Sequence, residues 1–442
     1  MANLAFTEEF CSIDHAIVSV YAVRCDTQEV LIDQNSDLSM TPASCMKIAT
    51  TAAALNLLDP ESRFVTHLEY DGWIDEMKTL HGNLYIRGGG DPCLGSDRIS
   101  GTLSWDKQIE AWGDAVKKLG IRKIEGKVVG DASKWEKALA VPSWNWEDLG
   151  NYYGAGASAL SFHENSYSLI FHPGQRVGDP AVILRVEPPL SALAFQNEVK
   201  TGPEGSGDQA CIYGAEFSSL QFIRGSVPAA VKEFAIRGSI PDPGATCAEF
   251  LVKKLVENGI AIEEKKWPQQ ASRISFSTTC SPTIKEIVHH TNQKSVNLFA
   301  EHLLKQMGWV VSNEGSTAAG IKAVTDFWSS HQIDLGGFNM VDGSGLSRKN
   351  LVTAKQLVQM LVIMKKSKAF PIFFESLPEQ ENGMRAKSGF MSSVKGYAGY
   401  TGDIAFAILA NHCSDPKLMN EKIKSALSKL SGQFLNPAPL DR

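Results

Sequence analysis

No apolar run in this chain approaches the ~18 residues that a membrane-spanning helix needs, so no transmembrane segment is expected. Positive charge is also short. Lys and Arg number 43 against 49 Asp and Glu, a formal net charge of -6, and no basic stripe is present to follow a phosphate backbone, which argues against nucleic acid as a partner. The first ten residues, MANLAFTEEF, have neither a basic n-region nor an apolar h-region. They fit a cytoplasmic protein, or one whose signal peptide an initiator Met has replaced. The eight cysteines (Cys11, Cys25, Cys45, Cys93, Cys211, Cys247, Cys280 and Cys413) are scattered without a C-x-x-C pair, and there is no H-E-x-x-H. Neither a zinc site nor another metal centre is expected, and the redox compartment stays open. Ser344, between two glycines, lacks the G-x-S-x-G surroundings of a nucleophile elbow and reads as a turn. Gly88-Gly89-Gly90-Asp91-Pro92 lacks the Gly-Lys-Ser/Thr ending of a phosphate loop and also reads as a turn.

What is present is an ordinary globular composition, 43% hydrophobic and 21% charged, over 442 residues, enough for about three domains. One stretch organises it, TPASCMKIATTAAALNLL at 41–58. Ala, Leu and Met favour a helix there, Pro42 and Ser44 suit its first turn, and Asp59-Pro60 stops it. Ser44 and Lys47, three apart, share one helical face, a hydroxyl beside an amine. Positive potential at the helix N-terminus and apolar neighbours such as Met46 favour a neutral Lys47 that takes the Ser44 proton. Taken alone, S-x-x-K also arises by chance in long chains. Cys45 points about 100° away from Ser44 and reads as packing.

Residues 15–33 read as a β-hairpin ahead of this helix. From about 66 the chain carries short strands, with a helix near 106–119. Residues 155–245 are strand-rich, and a helix near 244–258 closes the middle. Helices follow near 282–291, 296–307, 315–331 and 353–366, then three strand-like runs and a helix from about 416 to 430. Two strands at the start and three near the end predict one antiparallel sheet completed by both chain ends, with the middle inserted.

Two further motifs carry chemistry. Ser295-Val296-Asn297, between two predicted helices, supplies a second hydroxyl and an amide. Lys387-Ser388-Gly389, on a strand-like run, supplies a cation and a hydroxyl on opposite sides, with Gly389 letting a substrate approach the backbone. The order S-x-x-K, S-x-N, K-S-G is that of the penicillin-recognising serine acyl transferases. Together with GGGDPCL at 88–94, WEDLGNYYGAGASAL at 146–160 and DGSGLSR at 342–348, it resembles the class C low-molecular-mass penicillin-binding proteins, the serine D-alanyl-D-alanine carboxypeptidase/endopeptidase family.

The resemblance implies an α/β (α+β) fold. A penicillin-binding transpeptidase-like domain (1–65 and 275–442), with a five-stranded antiparallel sheet flanked by helices, would carry an inserted α/β domain (66–154 and 241–274) and an inserted β-rich domain (155–240). It implies Ser44 as nucleophile and Lys47 as base. Ser295, Asn297 and Lys387 become proton-relay and substrate-orienting groups, Ser388 faces the substrate, and the N–H groups of Ser44 and Phe390 form the oxyanion hole. Asp148 and Arg348 match the acid and base that hold a diaminopimelate side chain. Without the family they read as a solvated loop acid and a surface charge. Trp144, Trp146, Tyr152 and Tyr153 read equally as core or as the wall of a peptide-binding cleft. His289 and His290 read as helix-end or surface groups.

The expected activity is cleavage of D-Ala-D-Ala and D-Ala-diaminopimelate bonds in peptidoglycan stem peptides and cross-links, without a cofactor, inhibited by β-lactams and located in the periplasm or otherwise outside the cytoplasm. Where the family usually has Ser or Thr after K-T/S-G, this chain has Phe390, which points to a bias toward endopeptidase cleavage. A serine β-lactamase and a catalytically silent peptidoglycan-binding scaffold are the rivals. The first needs an efficient deacylating water, and this chain has no E-x-x-L-N-type segment soon after its S-x-N motif; the second does not need the intact Ser44, Lys47, Ser295, Asn297 and Lys387.

Overall fold

A computed structural model describes residues 15–267, 272–380 and 383–435; Cys11 and the leading MANLAFTEEF segment lie outside them. The chain forms two compact units, one from Met1–Glu61 with Ile284–Arg442, the other from Ser62–Thr283.

The first unit is built on a five-stranded antiparallel sheet from both chain ends. Its strands are β1 (Ile17–Arg24), β2 (Val30–Gln34), β3 (Arg385–Met391), β4 (Val394–Thr401) and β5 (Ile404–Asn411), in the order β3-β4-β5-β1-β2. The hairpin expected at 15–33 is β1–β2, and the three late runs are β3–β5. All eight residues of β5 are buried, as a central strand covered on both faces requires. Its even-numbered side chains, with Val18, Val20 and Ala22 of β1, pack on Met419, Ile423 and Ala426 of the last helix, Pro416–Leu435. Each large apolar side chain so buried stabilises the unit by ~1.5–3 kcal/mol.

The helices of this unit are α1 (Lys47–Leu57), α2 (Ile284–Gln293), α3 (Asn297–Ser312), α4 (Thr317–Ser330) and α5 (Ala354–Lys365), followed by the short Phe370–Ser376. The sequence placed α2 to α5 within five residues at each end and α1 within six, but gave no signal for Phe370–Ser376. Start signals explain the boundaries. Ser316 accepts from the Ala319 N–H ahead of α4, and Thr353 and Gln356 form a reciprocal capping box at α5. α1 is buried at every position from Lys47 to Leu55, so it is a core helix with apolar surroundings all round. Trp328 of α4, fully buried, donates from its indole to the Ala49 carbonyl and ties α4 to α1.

The second unit begins on the strand Arg63–Tyr70 and ends on Ile274–Thr283. These two pair antiparallel, with Arg63 opposite Thr283, so the insert leaves where it enters. Two four-stranded sheets, smaller sheets over 166–239, and the helices Trp105–Lys118 and Pro243–Glu257 complete it. The second helix starts where Asp242 accepts from the Ala245 N–H and Pro243 fills the first turn. One hydrophobic cluster runs from Leu68, Leu80 and Trp112 to Tyr167, Phe171 and Ile236, so a single core crosses the line that the sequence drew between 66–154 and 155–240.

Candidate active site

The site is assembled within the first unit from four pieces of chain. Ser44 lies in a 3-10 turn, Ala43–Met46, that leads directly into α1, where the sequence predicted one continuous helix. In 3-10 geometry residues three apart eclipse, so Ser44 and Lys47 stack more directly than on an α-helix. Lys47 Nζ lies 2.9 Å from Ser44 Oγ, 2.7 Å from Asn297 Oδ1 and 2.7 Å from the Ser344 carbonyl oxygen. Its side chain has no exposure. Burial, and then the nearby Lys387 charge, hold its pKa well below that of an ordinary lysine, against the opposing pull of Asp342 and Glu301.

Asn297 is the first residue of α3, and Ser295 precedes it with φ at 56°, a left-handed turn between α2 and α3. That turn aims Ser295 Oγ at Lys387 Nζ, 2.9 Å away, while Lys387 also donates to the Ser388 carbonyl at 2.7 Å. Lys387, only 1% exposed, is pushed down to about 8, chiefly by burial. Five predicted residues therefore form two contacting groups, Ser44/Lys47/Asn297 and Ser295/Lys387, and the charge of Lys387 acts on Lys47.

β3 delivers Lys387 as the edge strand of the sheet. A Cβ at Gly389 would sit 2.4 Å from the Pro42 carbonyl oxygen and 3.2 Å from the Cys45 nitrogen. The close approach that this glycine permits is thus that of the Ser44 turn, a different neighbour from the substrate that the sequence suggested. Ser388 and Phe390 alternate with Lys387 and Gly389 along the strand, and Phe390 is 63% exposed, with the Lys395 ammonium 5.4 Å from its ring centre. Cys45 is buried, its thiol pushed up to about 11 by burial, in keeping with a packing role.

Of the remaining predicted residues, Arg348 is exposed in the first unit and donates from Nη1 to the Ser392 carbonyl at 3.1 Å, in the turn just after β3. Asp148, in the one-turn helix Trp146–Leu149, and Tyr153 belong to the second unit. Burial and then the Asp148 charge raise the Tyr153 phenol.

Sequence reasoning missed three participants. The Ser344 backbone carbonyl is a direct neighbour of Lys47. Glu301 and Asp342 are buried carboxylates, 2% and 0% exposed, that organise the loop bearing it. Asp342 accepts from the N–H groups of Gly345 and Ser347 and from the Asn350 amide. Gly345 has φ at +81°, and a Cβ there would lie 1.9 Å from the Ala43 carbonyl oxygen, so the loop fits under the Ser44 turn only with glycine. The DGSGLSR motif was therefore a usable signal: in the sequence it reads as a turn and for Arg348, and it is the turn's backbone carbonyl that meets Lys47.

Residues 2–431 match the D-Ala-D-Ala carboxypeptidase 3 (S13) family. The chain belongs to that family. It is 27% identical over 444 residues to a D-alanyl-D-alanine carboxypeptidase of Actinomadura sp. (strain R39), covering 92% of this chain and 79% of that one. Over 367 residues it is 25% identical to the D-alanyl-D-alanine carboxypeptidase DacB of Haemophilus influenzae, covering 82% and 74%. Penicillin-binding protein 4 (dacB) from Haemophilus influenzae shares the fold, with a TM-score of 0.81 at 21% identity over 96% of this chain and 99% of that one. The same protein complexed with a β-lactam aligns with a TM-score of 0.76 at 20% identity over the same shares. The expected class is borne out: this is a class C low-molecular-mass penicillin-binding protein and a serine-type DD-peptidase.

Proposed function

We propose that Ser44 is the acylated residue and neutral Lys47 its base, acting on peptidoglycan stem peptides and cross-links. The observation that carries this reading is the triplet of oxygens around Lys47 Nζ. A neutral amine has two N–H groups and one lone pair. If the N–H groups go to Asn297 Oδ1 and the Ser344 carbonyl, the lone pair is left for the Ser44 hydroxyl. Ser44 Oγ then attacks the carbonyl carbon of the penultimate D-alanine as its proton passes to Lys47. The N–H groups of Ser44 and Phe390 take the oxyanion, and the Ser295–Lys387 pair returns a proton to the leaving amine. Water releases the acyl-enzyme. β-Lactams enter the same path, but their leaving amine stays tethered, which favours a long-lived adduct; the β-lactam complex of the Haemophilus influenzae relative supports this partner class. The substrate lies outside the cytoplasmic membrane, so the proposed location is extracytoplasmic. Among the described residues no helix is long and apolar enough to cross a membrane.

Ser388 and the exposed Phe390 are assigned to the substrate's C-terminal side. Arg348 is assigned to the carboxylate of a diaminopimelate side chain, and Asp148 and Tyr153 are assigned to substrate binding by the family resemblance. The test of the central assignment is Ser44→Ala, which should abolish labelling by a fluorescent penicillin with little change in Tm. Labelling that persists would end it.

A further inference from the structure

Glu301 is a buried acid that this chemistry leaves without a task. It lies one turn after Asn297 on α3, so both project toward the same side. Its Oε1 accepts from the Ser344 N–H at 2.7 Å and its Oε2 from the Gly343 N–H at 3.1 Å. The carbonyls of the same two residues face α1, where Gly343 O accepts from the Thr50 hydroxyl at 2.7 Å and Ser344 O meets Lys47 Nζ at 2.7 Å. Two residues of backbone thus bridge a carboxylate on one side and the base on the other.

We propose that Glu301 is a positioning residue for the base. It pins Gly343–Ser344 so that the Ser344 carbonyl accepts a hydrogen bond from one Lys47 N–H and turns the amine's lone pair onto Ser44, and its charge steadies the ammonium that forms. The proposal rests on the Ser44/Lys47 reading. The proton balance is simple: Ser44 Oγ bonds to the carbonyl carbon, its proton moves to Lys47 Nζ, and the three N–H groups then face Ser44 Oγ, Asn297 Oδ1 and Ser344 O, with Glu301 still a carboxylate.

The charged surroundings give this a pH signature. Asp342 faces Glu301 from the loop, Lys47 lies across the loop on α1, Lys387 acts on Lys47 from β3, and His302 and Lys305 are buried neighbours on α3 itself. Burial and then Asp342 push the Glu301 carboxyl up to about 7, while the Ser344 hydroxyl and the two N–H groups draw it back. Above that value the carboxylate holds both N–H groups. Below it a proton occupies one oxygen, the grip loosens and the charge near Lys47 is lost, so acylation slows on the acid side.

The experiment uses the whole chain and benzylpenicillin, following the second-order acylation rate from about pH 5.5 to about pH 9 and the adduct mass at Ser44. Glu301→Gln should lower the rate about ten- to a hundred-fold near pH 8, the range typical of residues that orient a catalytic group, and remove the ionisation near 7 expected of Glu301 in the wild type. Glu301→Asp keeps the charge one methylene further back, so it should lose less rate and retain an ionisation. A wild-type profile without an ionisation near 7 overturns the proposal, and so does a Glu301→Gln profile of unchanged shape, however slow, because a merely structural acid would cost rate without moving the profile. Should Glu301→Gln fail to fold, the wild-type and Glu301→Asp profiles decide, and identical ionisation and rate in the two overturn it. Labelling that survives in Ser44→Ala sinks the nucleophile reading itself, whatever Glu301 does.

Discussion

At the scale of single residues, the lysines are held where a lysine is least comfortable. Lys387 titrates near 8 in the fold against 10.5 ordinarily, so between these values the unfolded chain binds more protons than the folded one and stability rises with pH. Below about 8 the whole cost is present, ~3 kcal/mol at ~1.4 kcal/mol per unit, partly offset by the hydrogen bonds to Ser295 and Ser388. Lys387→Met should therefore abolish turnover yet raise Tm at pH 7 by about 2–5 °C, with the gain shrinking as pH approaches 10. A Tm that drops equally at both pH values would show that burying this ammonium costs nothing. Arg348 and Asp148 are tested by substrate choice. Arg348→Ala and Asp148→Asn should each lower kcat/KM about ten- to a hundred-fold on a diaminopimelate peptide, as expected for a charge-assisted hydrogen bond, and much less on an acetylated Lys-D-Ala-D-Ala peptide. Equal losses on both peptides mean a structural role.

At the scale of elements, β3 joins chemistry to specificity. Its Lys387/Gly389 face meets the Ser44 turn, while Phe390 stands exposed on the alternate face. Gly389→Ala forces a methyl to 2.4 Å from the Pro42 carbonyl oxygen. The turn or the strand must yield, at ~1–3 kcal/mol for such overpacking, and acylation by penicillin should fall at least about ten-fold. Unchanged acylation would mean that the turn tolerates the displacement. Phe390 has no hydroxyl for the free carboxylate of an uncross-linked peptide, a contact worth ~1.5–3 kcal/mol, and it offers apolar surface to a cross-link. With both muropeptide types at equal concentration, the wild type should favour endopeptidase cleavage and Phe390→Ser should raise carboxypeptidase activity relative to it. A wild-type preference for the free pentapeptide defeats this idea.

At the scale of the whole molecule, Ser44, Lys47, Ser295, Asn297, Ser344 and Lys387 all belong to the first unit, and the insert enters and leaves on paired strands. Joining Glu61 to Ile284 through a short Gly/Ser linker shortens a loop, and closure entropy changes only slowly with loop length. The shortened chain should still be acylated at Ser44 by penicillin, within about ten-fold of the full chain, while losing discrimination between stem peptides. Loss of acylation in a folded variant would show that the insert is needed for the chemistry. The sequence by itself determined α1 to α5, because their apolar period, Pro42, Asp59-Pro60 and the Thr353 cap act over a few neighbouring residues. Through the order of its three motifs and the family they resemble, it also supplied the candidates Ser44, Lys47, Ser295, Asn297 and Lys387, which the fold brings into two contacting groups. Tertiary structure alone decided which backbone carbonyl meets Lys47, that Gly389 and Gly345 make room for the Ser44 turn, and that Glu301 is an interior acid. Four residues after Asn297 on a helix, a glutamate is by default a surface charge. Only the packing of α3 against a loop some forty residues further along removes it from water and gives it a lysine to serve.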